Sequence, residues 1–427
     1  MKRVVIAGGG WAGCGAAFGA RKRGVEVVLI ERSNHLMGVG YHAGLNAYNG
    51  RYTIMLEAKA LGGTEIFDAV ESTIKYRVDL PHQKYGYLYD NFRAEAEVLK
   101  KLEEVGVNVL FERSVVDADV RADRVTAVKL DNGEVIEADA FVDATGGAGP
   151  EGLCRKYGRG CVVCSLRCPT FGPRVSLTAR CGVKENMARL ADGKSGGMSN
   201  ACSVDRESVA REIVEQIEKN NGFLLVPAPE GLADDYDYFR KIRTQQYLSK
   251  DEYEEYLVCV DVGTIKFLSR PYMNYRVLRS IPGFESAHFV EPLSGGRGQA
   301  IRFLAMAPRD NRLQVLERPN LFCAGEKTGF LVGVMDAKVT GLLAGNNAAR
   351  AALGEPLLEL PRQTALGEGL AWVNEQIKKE EGQYKKYSFM GAGGLWDHIS
   401  QKELFTVDEK VVEARCGELG LLNAFAS

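Results

Sequence analysis

No uncharged apolar run in this chain of 427 residues reaches the roughly 18 residues that a membrane-crossing helix needs, so a helical membrane protein is not expected. Charge of one sign is also missing. The 54 Lys and Arg nearly balance the 56 Asp and Glu, for a net charge of −2, which excludes a global attraction to nucleic acid and leaves only local basic patches. Histidine is scarce, at 5 residues, and none of them has metal-ligand spacing. There is no internal repeat and no low-complexity stretch. A secretory leader is not expected either. Met1-Lys2-Arg3 precedes an apolar run, but that run holds six glycines between Val4 and Ala20 and enters Arg21-Lys22-Arg23 without a cleavage-like end. Ten cysteines without a leader point to a reducing cytoplasm, where thiols serve chemistry or metal. The length predicts two or three domains, and an apolar fraction of 45% is ordinary for a globular chain.

What is present begins at Val4. Val4 to Ala7 reads as a short apolar strand, and Gly8, Gly10 and Gly13 follow it as G-x-G-x-x-G. Gly8 suits a tight turn, and Gly10 lets a pyrophosphate approach the backbone. Gly13 permits close helix–strand packing, and the helix N-terminus offers N–H groups to phosphate. Gly24 ends the helix, Val25 to Ile30 is a second strand, and Glu31 closes it at the distance where a carboxylate can take both ribose hydroxyls of an adenosine. Gly147, Gly149 and Gly152 repeat the spacing, but Pro150 interrupts the turn and no strand with a terminal acid follows.

Arg32 to Asp90 reads as loop-rich, a cover for the rest of a cofactor. Phe92 to Val105 is an amphipathic helix. Arg124 to Leu130 and Glu134 to Glu137 form a hairpin in which Asn132-Gly133 supplies positive φ angles, and Ala138 to Ala144 is a further strand. Val204 to Lys219 is expected as a helix, Tyr236 to Leu257 as helical, and Tyr272 to Ala307 as strands. Ser294 to Gly298 is a cationic turn, suited equally to an anion or a plain hairpin. Leu321 to Ala324 is a buried strand, and Asp336 to Leu353 is a small-residue helix.

These pieces resemble the two-dinucleotide-binding-domain flavoproteins. The resemblance implies FAD, with its pyrophosphate on Gly8, Gly10, Trp11, Ala12 and Gly13, its adenosine ribose on Glu31 beside Arg32, and its adenine near Val116. Ala144-Thr145-Gly146 is a shared turn, and Gly325 and Glu326 approach the ribityl chain. The isoalloxazine is placed between the Arg32 to Tyr48 loop and the Lys327-Thr328-Gly329 turn. There Lys327 would stabilise negative charge on the reduced flavin if it reached the N1/O2 edge. No second complete nucleotide unit with its own acid is present.

Cys154, Cys161, Cys164 and Cys168 read C-x6-C-x2-C-x3-C-P. The tail is similar to part of the bacterial ferredoxin run. Arg155, Lys156, Arg159, Arg167, Arg174 and Arg180 surround it with no acid between Cys154 and Arg180, as would offset the charge of a four-thiolate cluster or receive an anionic substrate. A [4Fe-4S] cluster is the leading reading, with structural zinc or redox thiols as alternatives. Cys181 and Cys202 are reserve ligands. Cys14, Cys259 and Cys323 read as core, and Cys416 is not interpretable from sequence.

Leu278 to Glu285, Glu317 to Gly325 and Thr340 to Ala349 resemble the GidA-related flavoproteins. Pro361-Arg362-Gln363-Thr364-Ala365-Leu366-Gly367 resembles the corresponding motif of TrmFO, the folate- and FAD-dependent tRNA uridine methyltransferases, whose length this chain matches. It departs from them in having no cysteine in Gly38 to Arg51, no His-Arg-Asn in the Ser294 to Arg302 region, and a four-cysteine run they lack. The expected fold class is α/β: a discontinuous, Rossmann-like FAD-binding domain of glutathione-reductase type (residues 1–150 and 313–375) with an inserted α+β substrate or cluster domain (151–312) and a helical tail (376–427). The leading function is an FAD-dependent oxidoreductase exchanging electrons with the cluster, with NAD(P)H as candidate donor and an electron-transfer protein as candidate partner. The alternatives are RNA uridine methylation and a sensor that uses FAD structurally. The substrate, small molecule or RNA, is not readable. A cytoplasmic homodimer without membrane association is the candidate assembly.

Overall fold

A computed structural model describes the chain except residues 43–46, 49–52, 81–82, 148–170, 173–174, 188–201, 230–254, 268–272, 291–304, 331–332, 380–381, 383–386, 390–393 and 427, and except the side chains of 47–48, 78–80, 83–85 and 187. The organising element is a five-stranded parallel sheet. In order across it run Leu321–Cys323, Ala140–Asp143, Arg3–Ala7, Glu26–Ile30 and Asn108–Leu110. The chain thus leaves this sheet after Asp143 and returns to it at Leu321. The register aligns Ala7 with both Ile30 and Asp143, and Asp143 with Cys323. Four strands therefore end together, and the turns that follow them emerge along one edge of the sheet.

Alternation along the first strand divides the core. Val4 and Ile6 face two helices, Trp11–Arg21 and Val334–Leu353. Val5 and Ala7 face the antiparallel meander Val115–Arg121, Arg124–Leu130 and Val135–Glu137, which covers the opposite face. The helices cross with almost no side chain between them. A Cβ on Gly341 would stand 2.2 Å from the Ala12 carbonyl oxygen, and one on Gly345 would stand 1.9 Å from that of Ala16. From the other helix, Gly15 and Gly19 approach the Lys338 and Leu342 carbonyl oxygens in the same way, at 2.5 and 2.1 Å. The long helix begins at Val334, two residues before its sequence-based start, and Gly354 ends it in the left-handed conformation at φ +75°.

Elsewhere the expectations are partly corrected. The 32–90 stretch is not mainly loop: it contains helices Thr53–Ala60 and Glu65–Glu71 and strands Ile74–Leu80 and Gln83–Tyr89. In the meander hairpin only Gly133 takes positive φ, at +88°. The Gly133 N–H donates to the Leu130 carbonyl, so Asp131-Asn132 make an ordinary turn and Gly133 alone needs the left-handed region. The single helix expected over Val204–Lys219 starts only at Arg211. Cys202–Val204 is instead an edge strand, and Asp205 caps a 3₁₀ turn by accepting from the Glu207 N–H. Tyr256–Asp261 is a strand of the same sheet rather than the end of a helix. Tyr275–Leu278, expected as strand, is a helical turn capped by Asn274. In the C-terminal part lie helices Leu395–Gln401 and Glu409–Glu418.

Because the helix crossing has no room for one methyl group, Gly345→Ala is expected to cost about 3 kcal/mol, the upper range for overpacking. Chemical denaturation of the variant against wild type measures it.

Candidate functional site

The aligned strand ends open onto one cleft. Gly8 and Gly10, Glu31, Ala144 to Gly146, and Gly325 with Glu326 all line it. Its open volume is about 1220 Å³ including the solvent at its mouth. Each wall follows from local sequence. Gly8 turns at φ +101° with the Ala144 carbonyl oxygen 2.6 Å from where its Cβ would be, so only glycine fits. Gly13 lies beneath, its Cβ position 1.8 Å from the Gly8 oxygen, and does not line the cleft. Gly10 has nothing closer to its Cβ position than the Gly38 Cα at 4.0 Å. The helix starting at Trp11 has no side-chain cap, and Gly10, Trp11 and Ala12 line the cleft, so its first turn presents backbone donors there. Glu31 is fixed by three donors: its Oε2 accepts from the Gly9 N–H at 2.7 Å, and its Oε1 accepts from the Ser33 N–H at 2.8 Å and hydroxyl at 2.7 Å. Glycines at the turn, an uncapped helix start and an anchored carboxylate one strand away fit an adenine dinucleotide.

Several expected residues are not where the sequence suggested. Val116 does not line the cleft; Arg113, Ser114 and Val115 do. A register irregularity between Val115 and Asp117 leaves Val116 without a ladder partner and shifts the wall by one residue. Lys327, Thr328 and Gly329 do not line it either. The Lys327 ammonium turns inward, donating to Glu185 Oε1 at 2.5 Å and Ser176 Oγ at 2.8 Å, with both charged side chains essentially inaccessible. It therefore stabilises the protein interior rather than a flavin edge. Burial opposes ionisation of neighbouring Asp143. The Lys327 charge and hydrogen bonds from Thr145 and Thr178 nonetheless hold its carboxyl below the ordinary range. Thr328 donates from its hydroxyl to the Gly325 carbonyl and stiffens the turn.

Sequence reasoning missed Phe171, Phe330 and Asp336, and expected the Arg32 to Tyr48 loop at the cofactor without singling out its Ser33, Met37 or His42; all six line the cleft. Only the glycine- and aromatic-rich composition of the 38–48 loop signalled part of this wall. Asp336 sits in the first turn of the long helix. It accepts from Ser388 Oγ and the Phe389 N–H, both at 2.9 Å, and Phe389 stacks on Phe330. Burial pushes its carboxyl up to about 6 despite those donors.

Cys154, Cys161, Cys164 and Cys168 lie outside the described residues. Among those that are described, no group of three or more His, Cys, Asp or Glu side chains is placed to hold a metal. Cys14, Cys259, Cys323 and Cys416 are buried thiols. The reserve ligands Cys181 and Cys202 are buried in two different apolar clusters. Burial pushes Cys14, Cys181 and Cys323 up to about 12, so none of them is a ready nucleophile. No helix among the described residues is long and apolar enough to cross a membrane.

Two family models match the chain: FAD dependent oxidoreductase over residues 3–149 and glucose inhibited division protein A over residues 240–356. Similar curated proteins include the methylenetetrahydrofolate–tRNA-(uracil-5-)-methyltransferases TrmFO of Natranaerobius thermophilus and Lactobacillus helveticus. The first is 40% identical over 23% of this chain and 22% of its own length; the second is 42% identical over 24% and 25%. The matched stretch thus spans about a quarter of these relatives. GidA of Aquifex aeolicus superposes with a TM-score of 0.62 at 16% identity, covering 100% of this chain and 76% of that one, a likeness of fold.

Asp336 has a consequence for pH dependence. A carboxyl raised in the folded state stabilises the fold at low pH and loses that contribution as pH rises from about 4 to about 6. The wild type should therefore lose up to about 3 kcal/mol relative to Asp336→Asn across that window, with a constant difference above about pH 7. Melting curves at a series of pH values check this.

The parallel-sheet core, the dinucleotide cleft and these matches together relate the chain to the GidA- and TrmFO-type proteins and to the FAD-dependent oxidoreductases.

Proposed function

We propose that this chain is an FAD-dependent RNA-modifying enzyme that acts on uracil. The observation that carries the reading is convergence. Glu31 and the Gly8 and Ala144 turns come from the first matched stretch, Gly325, Glu326, Phe330, Asp336 and Ala337 come from the second, and all of them line one cleft. The curated relatives are named as methyltransferases that use methylenetetrahydrofolate and tRNA uracil, which suggests the substrate class. Bound FAD would supply the redox step of such a transfer. The protein's own part is to hold the pyrophosphate on the Gly10–Ala12 backbone and the ribose on Glu31, and to cover the cleft with Phe171 and Phe330. With a net charge of −2, RNA contact falls to local cations such as Arg155, Lys156, Arg159 and Arg167.

Two measurements test this. Transfer of labelled carbon from methylenetetrahydrofolate to tRNA uracil is expected. So is tRNA affinity that falls about tenfold or more between about 50 and 200 mM salt. No RNA binding at low salt would contradict the proposal.

The C-x6-C-x2-C-x3-C-P run supports a second reading, an oxidoreductase in which flavin and a [4Fe-4S] cluster exchange electrons with NAD(P)H as donor. Anaerobic preparation should then yield about four irons and four labile sulfides per chain. Iron-free protein after reconstitution would exclude it and leave the cysteines as thiols or zinc ligands.

A further inference from the structure

Glu31 is fixed by more than the strand that carries it. Ser33 is buried, at 2% exposure, and its hydroxyl donates to Glu31 Oε1 at 2.7 Å. His42 Nε2 lies 3.2 Å from the same hydroxyl oxygen. A serine hydroxyl has one hydrogen. With that hydrogen on Glu31, the short contact to His42 requires the imidazole to donate through Nε2–H. The result is a directed chain, His42 Nε2–H to Ser33 Oγ–H to Glu31 Oε1, with the Gly9 N–H holding Oε2 at 2.7 Å. All three side chains line the cleft, and His42 comes from the short helix Val39–His42 on the loop that forms its wall. The loop is itself attached to the glycine turn. The Met37 N–H donates to the Gly9 carbonyl, and the His35 and Tyr41 rings stack at 4.1 Å.

We infer that Ser33 and His42 are positioning residues for the dinucleotide: they fix the carboxylate rotamer of Glu31, so that affinity for the adenosine half of the cofactor depends on a loop histidine remote in sequence from the glycine motif. The inference rests on the FAD reading of the cleft. Without Ser33 the Glu31 carboxylate loses a hydroxyl donor and can rotate away from the ribose position. Without His42 the Ser33 hydrogen is free to turn to the His35 carbonyl, 2.9 Å away.

The test measures the dissociation constants of FAD and FMN from flavin fluorescence, using the full-length protein stripped of cofactor. Ser33→Ala should weaken FAD about tenfold and His42→Leu about threefold, about what loss of one or part of one charge-assisted hydrogen bond implies. FMN, which has no adenosine ribose, should bind all variants alike. His42→Gln, whose amide nitrogen can replace Nε2–H, and Ser33→Thr should restore FAD affinity. The Glu31→Gln/Ser33→Ala double variant should be no weaker than Glu31→Gln alone. Unchanged FAD affinity in His42→Leu and Ser33→Ala, or additive losses in the double variant, would overturn the assignment while leaving the FAD reading intact. Equal losses for FMN and FAD would also overturn it, as the mark of a general structural defect. A wild-type chain that takes up no flavin would overturn both.

Discussion

The rest of the structure depends on the direct backbone contact between the helices Trp11–Arg21 and Val334–Leu353. Gly15, Gly19, Gly341 and Gly345 bring carbonyl oxygens of each helix to where side chains would otherwise stand. The two helices are more than three hundred residues apart in the chain. Their contact brings Leu321–Cys323 and the turn after it into line with the first strand. Gly325 and Glu326 can then face Gly8, Gly10 and Glu31 across one cleft. The close approach also withdraws backbone from water and buries an apolar face of the sheet, whose burial stabilises at about 25 cal/mol per Å².

The cleft itself is built mainly from backbone. Its anionic binding capacity comes from an uncapped helix start and glycine turns, and Glu31 is a well-anchored charge at its wall. The other charged groups nearby are turned to structural work. Lys327 neutralises Glu185 inside the protein and lowers the Asp143 carboxyl. Asp336 fastens the segment at Ser388 and Phe389 against the wall that Phe330 forms. A floor of backbone donors with few free charges suits a tightly held cofactor, because the donors need no reorganisation to meet phosphate.

How much of this was legible follows from the range of the interactions. Gly8, Gly10, Gly13 and Glu31 were readable because their roles are set by a strand, a turn and a helix contiguous in sequence. Lys327 was misread because its direction is decided by Ser176 and Glu185, over 140 residues away, which no local pattern reveals. Val116 was off by one because a strand irregularity at Val115–Asp117 leaves no compositional mark. Ser33 and His42 were not singled out within the Arg32 to Tyr48 loop because a hydrogen-bond chain across a turn has no periodicity. The helix over Val204–Lys219 was too long because its charged face continues through Asp205, whose side chain caps a turn rather than extending the helix.

The most direct test of the account is the identity of the flavin released when the purified full-length chain is denatured and its supernatant chromatographed. The account predicts FAD, close to one per chain, because Glu31 and the Gly8–Gly13 turn form a site for the adenosine and pyrophosphate of a dinucleotide. Release of FMN, or of no flavin after incubation with FAD, would contradict it, since a cleft organised around Glu31 would then have no ribose to hold.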